Sequence, residues 1–253
     1  MGRAGAVRPV GGRTGSRLTA RVPPSGPVRV EETLDRLYAH RFPDSDRRRR
    51  AALWQALYNG FFSRYVPADA TVVDLGAGYC DLLNAVRAPR RIGIDLNPDT
   101  GRAAAPGVEV HAVPLERAGD VVPPGSVDVA FASNVFEHLR SPDHLLAVLR
   151  GVFTMLRPGG RLVVLQPNVR TIGGAFWDFF DHTLPLTERG MAEALTVAGL
   201  QVTECRARFL PYTTKSRLPQ WPLLVRGYLA FRPAQWLLGR QMLVVAERPR
   251  SLS

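Results

Sequence analysis

Lysine is almost missing from this chain. Of its 33 basic residues all but Lys215 are arginine, against 22 acidic residues, and the net charge over 253 residues is +11. So one-sided a use of arginine points to a codon-level bias, which makes the basic balance weak evidence for a polyanionic partner. Cysteine is nearly as scarce: Cys80 and Cys205 alone exclude a disulfide scaffold and a multi-cysteine zinc site. No apolar run reaches the roughly 18–20 residues that a membrane-spanning helix needs, and nothing near Met1 reads as the apolar core of a signal peptide. A cytoplasmic location is the expectation. Acid is missing from one end: the five arginines of residues 1–27 meet no carboxylate. Residues 205–253 hold nine basic residues against Glu247 alone, so the stretch between is slightly acidic. What is present is an ordinary globular balance, 45% hydrophobic and 22% charged, long enough for one sizeable domain with a real core.

Residues 1–27, rich in Gly, Pro, Arg and Ser with no hydrophobic period, are expected to form a disordered basic leader. Residues 28–65 read as N-terminal helices covering the active site, two rather than one because Pro43 interrupts the period. Arg47 to Arg50 open the second of them, as a solvated charged face or as a binding patch. Residues 66–253 form the main domain. Strands are expected at Thr71–Leu75, Arg91–Asp95, Val108–Val113, Val127–Ser133, Arg161–Pro167, Gln201–Phe209 and Gln241–Glu247. Helices fall between them, the clearest over Asp143–Leu156, stopped by Pro158-Gly159-Gly160, and another capped by Thr187 and closed by Gly199. This strand–helix alternation predicts an α/β fold with a mostly parallel sheet covered on both faces. Some thirty residues between the last two strands, about 210–240, hold Trp221, Tyr228, Phe231 and Trp236. They are too many for a plain connection and predict a helical insertion.

Asp74-Leu-Gly-Ala-Gly-Tyr-Cys80 follows the first strand, where open α/β sheets bind ligands. Gly76 and Gly78 permit positive φ and close approach of a ligand to the backbone. Asp95, at the end of the second strand, is placed to accept from a ribose diol. Three details speak against a dinucleotide: Asp81 stands where a third glycine would, Asp74 points into the pocket mouth, and no phosphate-gripping Lys or Ser/Thr follows. Carboxylates in a nominal phosphate site suit a ligand with ribose and adenine, no phosphate, and positive charge on a sulfonium and an ammonium. S-adenosyl-L-methionine fits that description.

With Gly93-Ile-Asp95, Ser126 to Leu139 and Leu156-Arg-Pro-Gly-Gly-Arg-Leu162 in the same order and spacing, the chain resembles the class I S-adenosylmethionine-dependent methyltransferases of the broad small-molecule type. The resemblance covers about residues 65–205. It implies a Rossmann-like seven-stranded sheet with the last strand antiparallel. It also implies a cofactor site in which the methionine end lies over Gly76, Ala77 and Gly78, with Asp74 and the small residue Cys80 in the same cofactor-binding motif, Asp95 on the ribose and Leu96 on the adenine. Leu115 and Glu116 would meet the adenine amine, and Asn134 and Val135 would lie beside the methionine moiety.

Methyl transfer to a hydroxyl needs alignment and a base. Candidates lie in two clusters, Glu137-His138 and Asp178/Asp181/His182, of which His138 and His182 rank first. Glu137, His138 and His182 also resemble part of the Glu-x-x-Glu-His metal pattern of some O-methyltransferases, but Asn134 stands where its first Glu would, and no metal is expected. The leading reading is O-methylation of a small-molecule, sugar or lipid-linked acceptor. Alternatives are a nucleic-acid methyltransferase, motivated by the basic ends, and a non-catalytic cofactor-binding subunit. No nucleic-acid partner is expected. Peripheral membrane contact through the insertion is the further partner expectation.

Overall fold

A computed structural model describes residues 46–212 and 221–250. The expected leader, the first N-terminal helix before Pro43 and part of the insertion lie outside these residues. In chain order the elements are α1 (Arg47–Gly60), β1 (Thr71–Leu75), α2 (Asp81–Ala85), β2 (Arg90–Ile94), α3 (Asp99–Ala103), β3 (Val108–His111) and β4 (Val127–Ser133). There follow α4 (Pro142–Met155), β5 (Leu156–Pro167), α5 (Val169–Ile172), α6 (Glu188–Val197), β6 (Gln201–Arg206), α7 (Pro222–Ala230), α8 (Arg232–Leu238) and β7 (Gln241–Glu247).

The strands join in one sheet of order β3-β2-β1-β4-β5-β7-β6. β1 to β5 run parallel, and β7 lies antiparallel between β5 and β6. Side chains alternate between the two faces, and both faces are buried. Val73, Ala130, Leu162 and Val244 pack with α4 and α6, whereas Val72, Phe131, Val163 and Val245 pack with α1, α2 and α7. Strand order reverses beside β1, where β2 leaves to one side and β4 lies on the other. The crevice at the carboxyl ends of β1 and β4 is therefore the place where such a sheet takes a ligand.

Caps fix the helices that frame it. Ser141 accepts from the His144 backbone N–H at 3.2 Å ahead of Pro142, and Thr187 accepts from Gly190 at 3.1 Å. The Pro158-Gly159-Gly160 turn does not end α4 as the sequence suggests. α4 stops at Met155, and Leu156 is already extended and paired with Val127, so Pro158, Gly159 and Gly160 bend a strand that has already begun. β6 ends at Arg206, short of Phe209, which turns its ring fully into the core. The Asn168 side-chain amide donates to the Ala207 carbonyl at 2.9 Å, satisfying the chain as it leaves the sheet edge.

Candidate functional site

The turn after β1 is built from positive-φ residues. Gly76 has φ +75° and Gly78 φ +52°, and Cys80 follows at +57°. Among the described residues only Cys80 and Asn134 are non-glycines with positive φ, and both were singled out from the sequence as cofactor contacts. Each such residue costs about 1–3 kcal/mol, a strain that concentrates at functional sites. The turn is held from below, where the Gly76 N–H donates to the Ile94 carbonyl at 2.8 Å. It is held from the side as well, where Asp95 Oδ2 accepts from Gly78 at 2.6 Å. Asp95 Oδ1 accepts from Asn97 at 2.7 Å. Asp95 thus braces the turn, and the lone pair that these backbone donors leave free is what remains for a ribose. Val135 lies over Gly76: a Cβ there would come within 2.4 Å of Val135 Cγ2.

Three carboxylates crowd this turn. Asp74 is 3% exposed, and its Oδ1 finds no partner among the described residues. Burial, with the Asp95 charge adding to it, holds its pKa well above the ordinary carboxylate range. Burial also raises Asp95 against the hydrogen bonds from Asn97, Gly78 and Leu96, and raises Asp81 against its Arg50 partner. A pocket that penalises its own anions is one that a cation relieves. The orphaned Asp74 oxygen and the desolvated carboxylates therefore fit a sulfonium and an ammonium, and do not fit a pyrophosphate.

Other expected contacts differ in detail. The Cys80 side chain is fully buried, with Sγ 3.7 Å from the Thr100 carbonyl and its thiol pushed up to about 12 by burial. It therefore offers a ligand no side-chain contact, and its contribution to the site is the left-handed turn. Leu96 is exposed, and Leu115 packs on the core. Glu116 pairs with His144 Nε2 at 3.0 Å. Sequence reasoning missed Arg50. Its Nε lies 3.1 Å from Asp81 Oδ2 and its guanidinium 5.0 Å from the Tyr79 ring centroid, so α1 reaches the turn through it. Of the four arginines from Arg47 to Arg50, it alone is buried.

The two candidate base clusters, 43 residues apart, meet. The backbone N–H groups of Thr183 and Leu184 both donate to the Glu137 carbonyl, at 2.8 and 3.0 Å, which draws the segment after α5 against the loop after β4. The His138 and His182 ring centroids are 4.9 Å apart. His138 Nδ1 lies 3.1 Å from the Asp181 carbonyl and 3.2 Å from its carboxylate. This network assigns the proton to Nδ1 and leaves Nε2 as the basic nitrogen. Burial pulls the imidazole down, but the Asp181 hydrogen bond and the charges of Glu137 and Asp181 outweigh it, and its pKa stands above the ordinary histidine value. His182 is buried between Phe176 and Phe179, with ring centroids 4.8 and 4.9 Å away. Asp178 is exposed and does not join them.

Glu137, His138 and His182 each offer a ligand atom within 4.8 Å of the others. Asn134 does not complete the set: its side-chain amide donates to Ser133 Oγ at 3.2 Å. With Asn134 in place of the first Glu, these residues match the carboxylate-rich metal pattern only in part, and no step is drawn through an ion.

A family model described as a methyltransferase domain matches residues 45–205, more than half of the chain. The chain belongs to that family. This methyltransferase uses S-adenosylmethionine. Over 97 residues it is 38% identical to the methyltransferase tpcM of Aspergillus fumigatus. That match covers 36% of this chain and 29% of the fungal protein. The fold is shared with a chain of the complex between the Haloferax volcanii Trm112 methyltransferase activator and a methyltransferase (TM-score 0.61, 20% identity, 84% and 96% of the two chains). It is shared too with a SAM-dependent methyltransferase from Archaeoglobus fulgidus (TM-score 0.60, 14% identity, 85% and 99%).

Proposed function

We propose that this methyltransferase transfers the methyl group to a hydroxyl of a small-molecule, sugar or lipid-linked acceptor, with His138 as general base. The His138–Asp181 pair carries this reading. Methyl transfer is an in-line displacement in which the acceptor oxygen bonds to the methyl carbon, the carbon–sulfur bond breaks and its electron pair stays on sulfur. The cofactor supplies an activated methyl group. The chain has to hold the acceptor in line and take the hydroxyl proton.

His138 Nε2 is suited to that proton because Asp181 fixes the tautomer and stabilises the imidazolium that forms. His182 supplies a polar edge in an aromatic wall that keeps water from the site. Asp74 and Asp95 hold the cofactor end of the reaction, Asp74 by its unshared charge and Asp95 by its remaining lone pairs. Arg50 and Asp81 tie α1 across the turn.

The test is tritiated S-adenosylmethionine offered with a panel of alcohols, sugars and amphiphilic hydroxyl compounds, with the product bond read by NMR. An O-methyl product is expected. His138→Ala should then lose about 10²–10⁴-fold in kcat with cofactor affinity unchanged. A methylated nitrogen, or an unimpaired His138→Ala, overturns the reading. Cofactor binding without turnover across the panel would favour the non-catalytic subunit instead.

A further inference from the structure

The hairpin of α7 and α8 has two unlike faces. Its inner face is fixed to the domain: Leu229 packs at Gly60, and the Tyr228 hydroxyl donates to the Phe209 carbonyl at 2.6 Å. Gln235 Nε2 donates to the Leu229 carbonyl at 2.8 Å, while its Oε1 accepts from Arg206. The outer face holds large apolar side chains in water. Trp221 is 71% exposed, Leu223 79%, Trp236 72% and Leu237 64%, with Phe231 and Leu224 also exposed. Exposed large apolar groups elsewhere among the described residues are few and scattered, apart from Trp177 and Phe180. So dense a patch on a helix pair already pinned from behind is a docking surface rather than incomplete packing.

Its chemistry selects the occupant. From residue 221 to residue 246 the chain has no Asp or Glu, while Arg226 and Arg232 are exposed on the same hairpin. Two copies meeting through this face would set arginines against arginines with no carboxylate to answer them. An anionic lipid surface answers both features at once, phosphates for the arginines and acyl chains for Leu and Phe, with Trp221 and Trp236 at the depth where indoles prefer to sit. No described helix is long and apolar enough to cross a membrane, so the contact is one of lying on the surface.

The hairpin also sits at the right end of the sheet. It runs into β7 at Gln241, which is in register with Pro167 at the carboxyl end of β5. That is the edge where the β1 turn and the His138 loop also lie. We propose that α7 and α8 dock this protein on an anionic membrane surface. The inference is independent of methyl transfer, because binding is read without turnover.

Co-flotation of the full chain with vesicles tests it, using phosphatidylcholine alone and phosphatidylcholine with about 30% phosphatidylglycerol. Flotation is expected with the anionic vesicles and roughly tenfold less with the neutral ones. The double variant Trp236→Ser, Leu237→Ser should lower flotation by roughly tenfold or more, with near-UV circular dichroism and S-adenosylhomocysteine binding kept. Arg226→Glu with Arg232→Glu should erase the preference for anionic lipid. Any of three results overturns the proposal. They are no recovery with anionic vesicles, a serine variant that floats like the parent, or a vesicle-free dimer that the serine variant dissolves, which would assign the face to a second copy.

Discussion

Replacing Asp181 with asparagine removes the charge that keeps His138 basic while leaving the imidazole half-buried. Because a general base works only when neutral, kcat should rise with pH through the His138 pKa, and in the parent that limb is shifted upward from the ordinary histidine value. In Asp181→Asn, burial is left less opposed, so the limb moves to lower pH while the plateau falls with lost orientation. A pH–rate profile in which kcat drops but the limb stays put would make Asp181 a packing residue. A second outcome belongs to the same cluster. Dialysis against a strong chelator should leave methyl transfer unchanged; loss restored by a divalent ion would instead recruit Glu137, His138 and His182 as ligands.

Elements fail differently, through backbone conformation and close approach. Gly76→Ala asks an alanine to adopt φ +75° and puts its Cβ 2.4 Å from Val135 Cγ2, so the β1 and β4 loops must part. We expect a loss of about 1–3 kcal/mol in urea unfolding, with cofactor binding abolished. Val135→Gly in the same chain should recover part of the binding, because it removes both the Cγ2 contact and the 2.7 Å contact with Val135 Cβ but not the strain. That turn was legible in the sequence because its requirement is local: glycines and carboxylates at fixed offsets after a β-branched strand. β4 and α4 were legible for the same reason, each carrying its own hydrophobic period. Arg50 was not, since nothing near it in sequence indicates that Asp81 lies across the α1 interface. The meeting of His138 with Asp181 depended on two backbone bonds to the Glu137 carbonyl, which no side-chain pattern announces. The Pro158-Gly159-Gly160 stretch misled because a helix stop and a bend within a strand use the same residues.

At the scale of the whole molecule, ligand and fold are linked through Asp74. Its folded pKa is raised, so the stability it contributes is full below the unfolded value of 3.8 and is lost as pH rises through the folded one. Near neutral pH the ligand-free domain bears that cost, and a bound cation offsets it. S-adenosylmethionine at about a hundred times its Kd should raise Tm by roughly 5–10 °C. Asp74→Asn should raise the ligand-free Tm and shrink the ligand-induced rise; thermal unfolding with and without cofactor checks both, and an undiminished rise would remove Asp74 from the site. Part of the architecture has a consequence in time as well. β7 lies between β5 and β6, yet of the seven strands it is the last to leave the ribosome. Until it arrives, β6 has no neighbour and β5 keeps an open edge, although both have already been made. The sheet is therefore completed by filling an internal gap rather than by growth at a margin. During synthesis, the half-built domain exposes two unsatisfied strand edges, at which chaperones or premature aggregation compete with the closing strand.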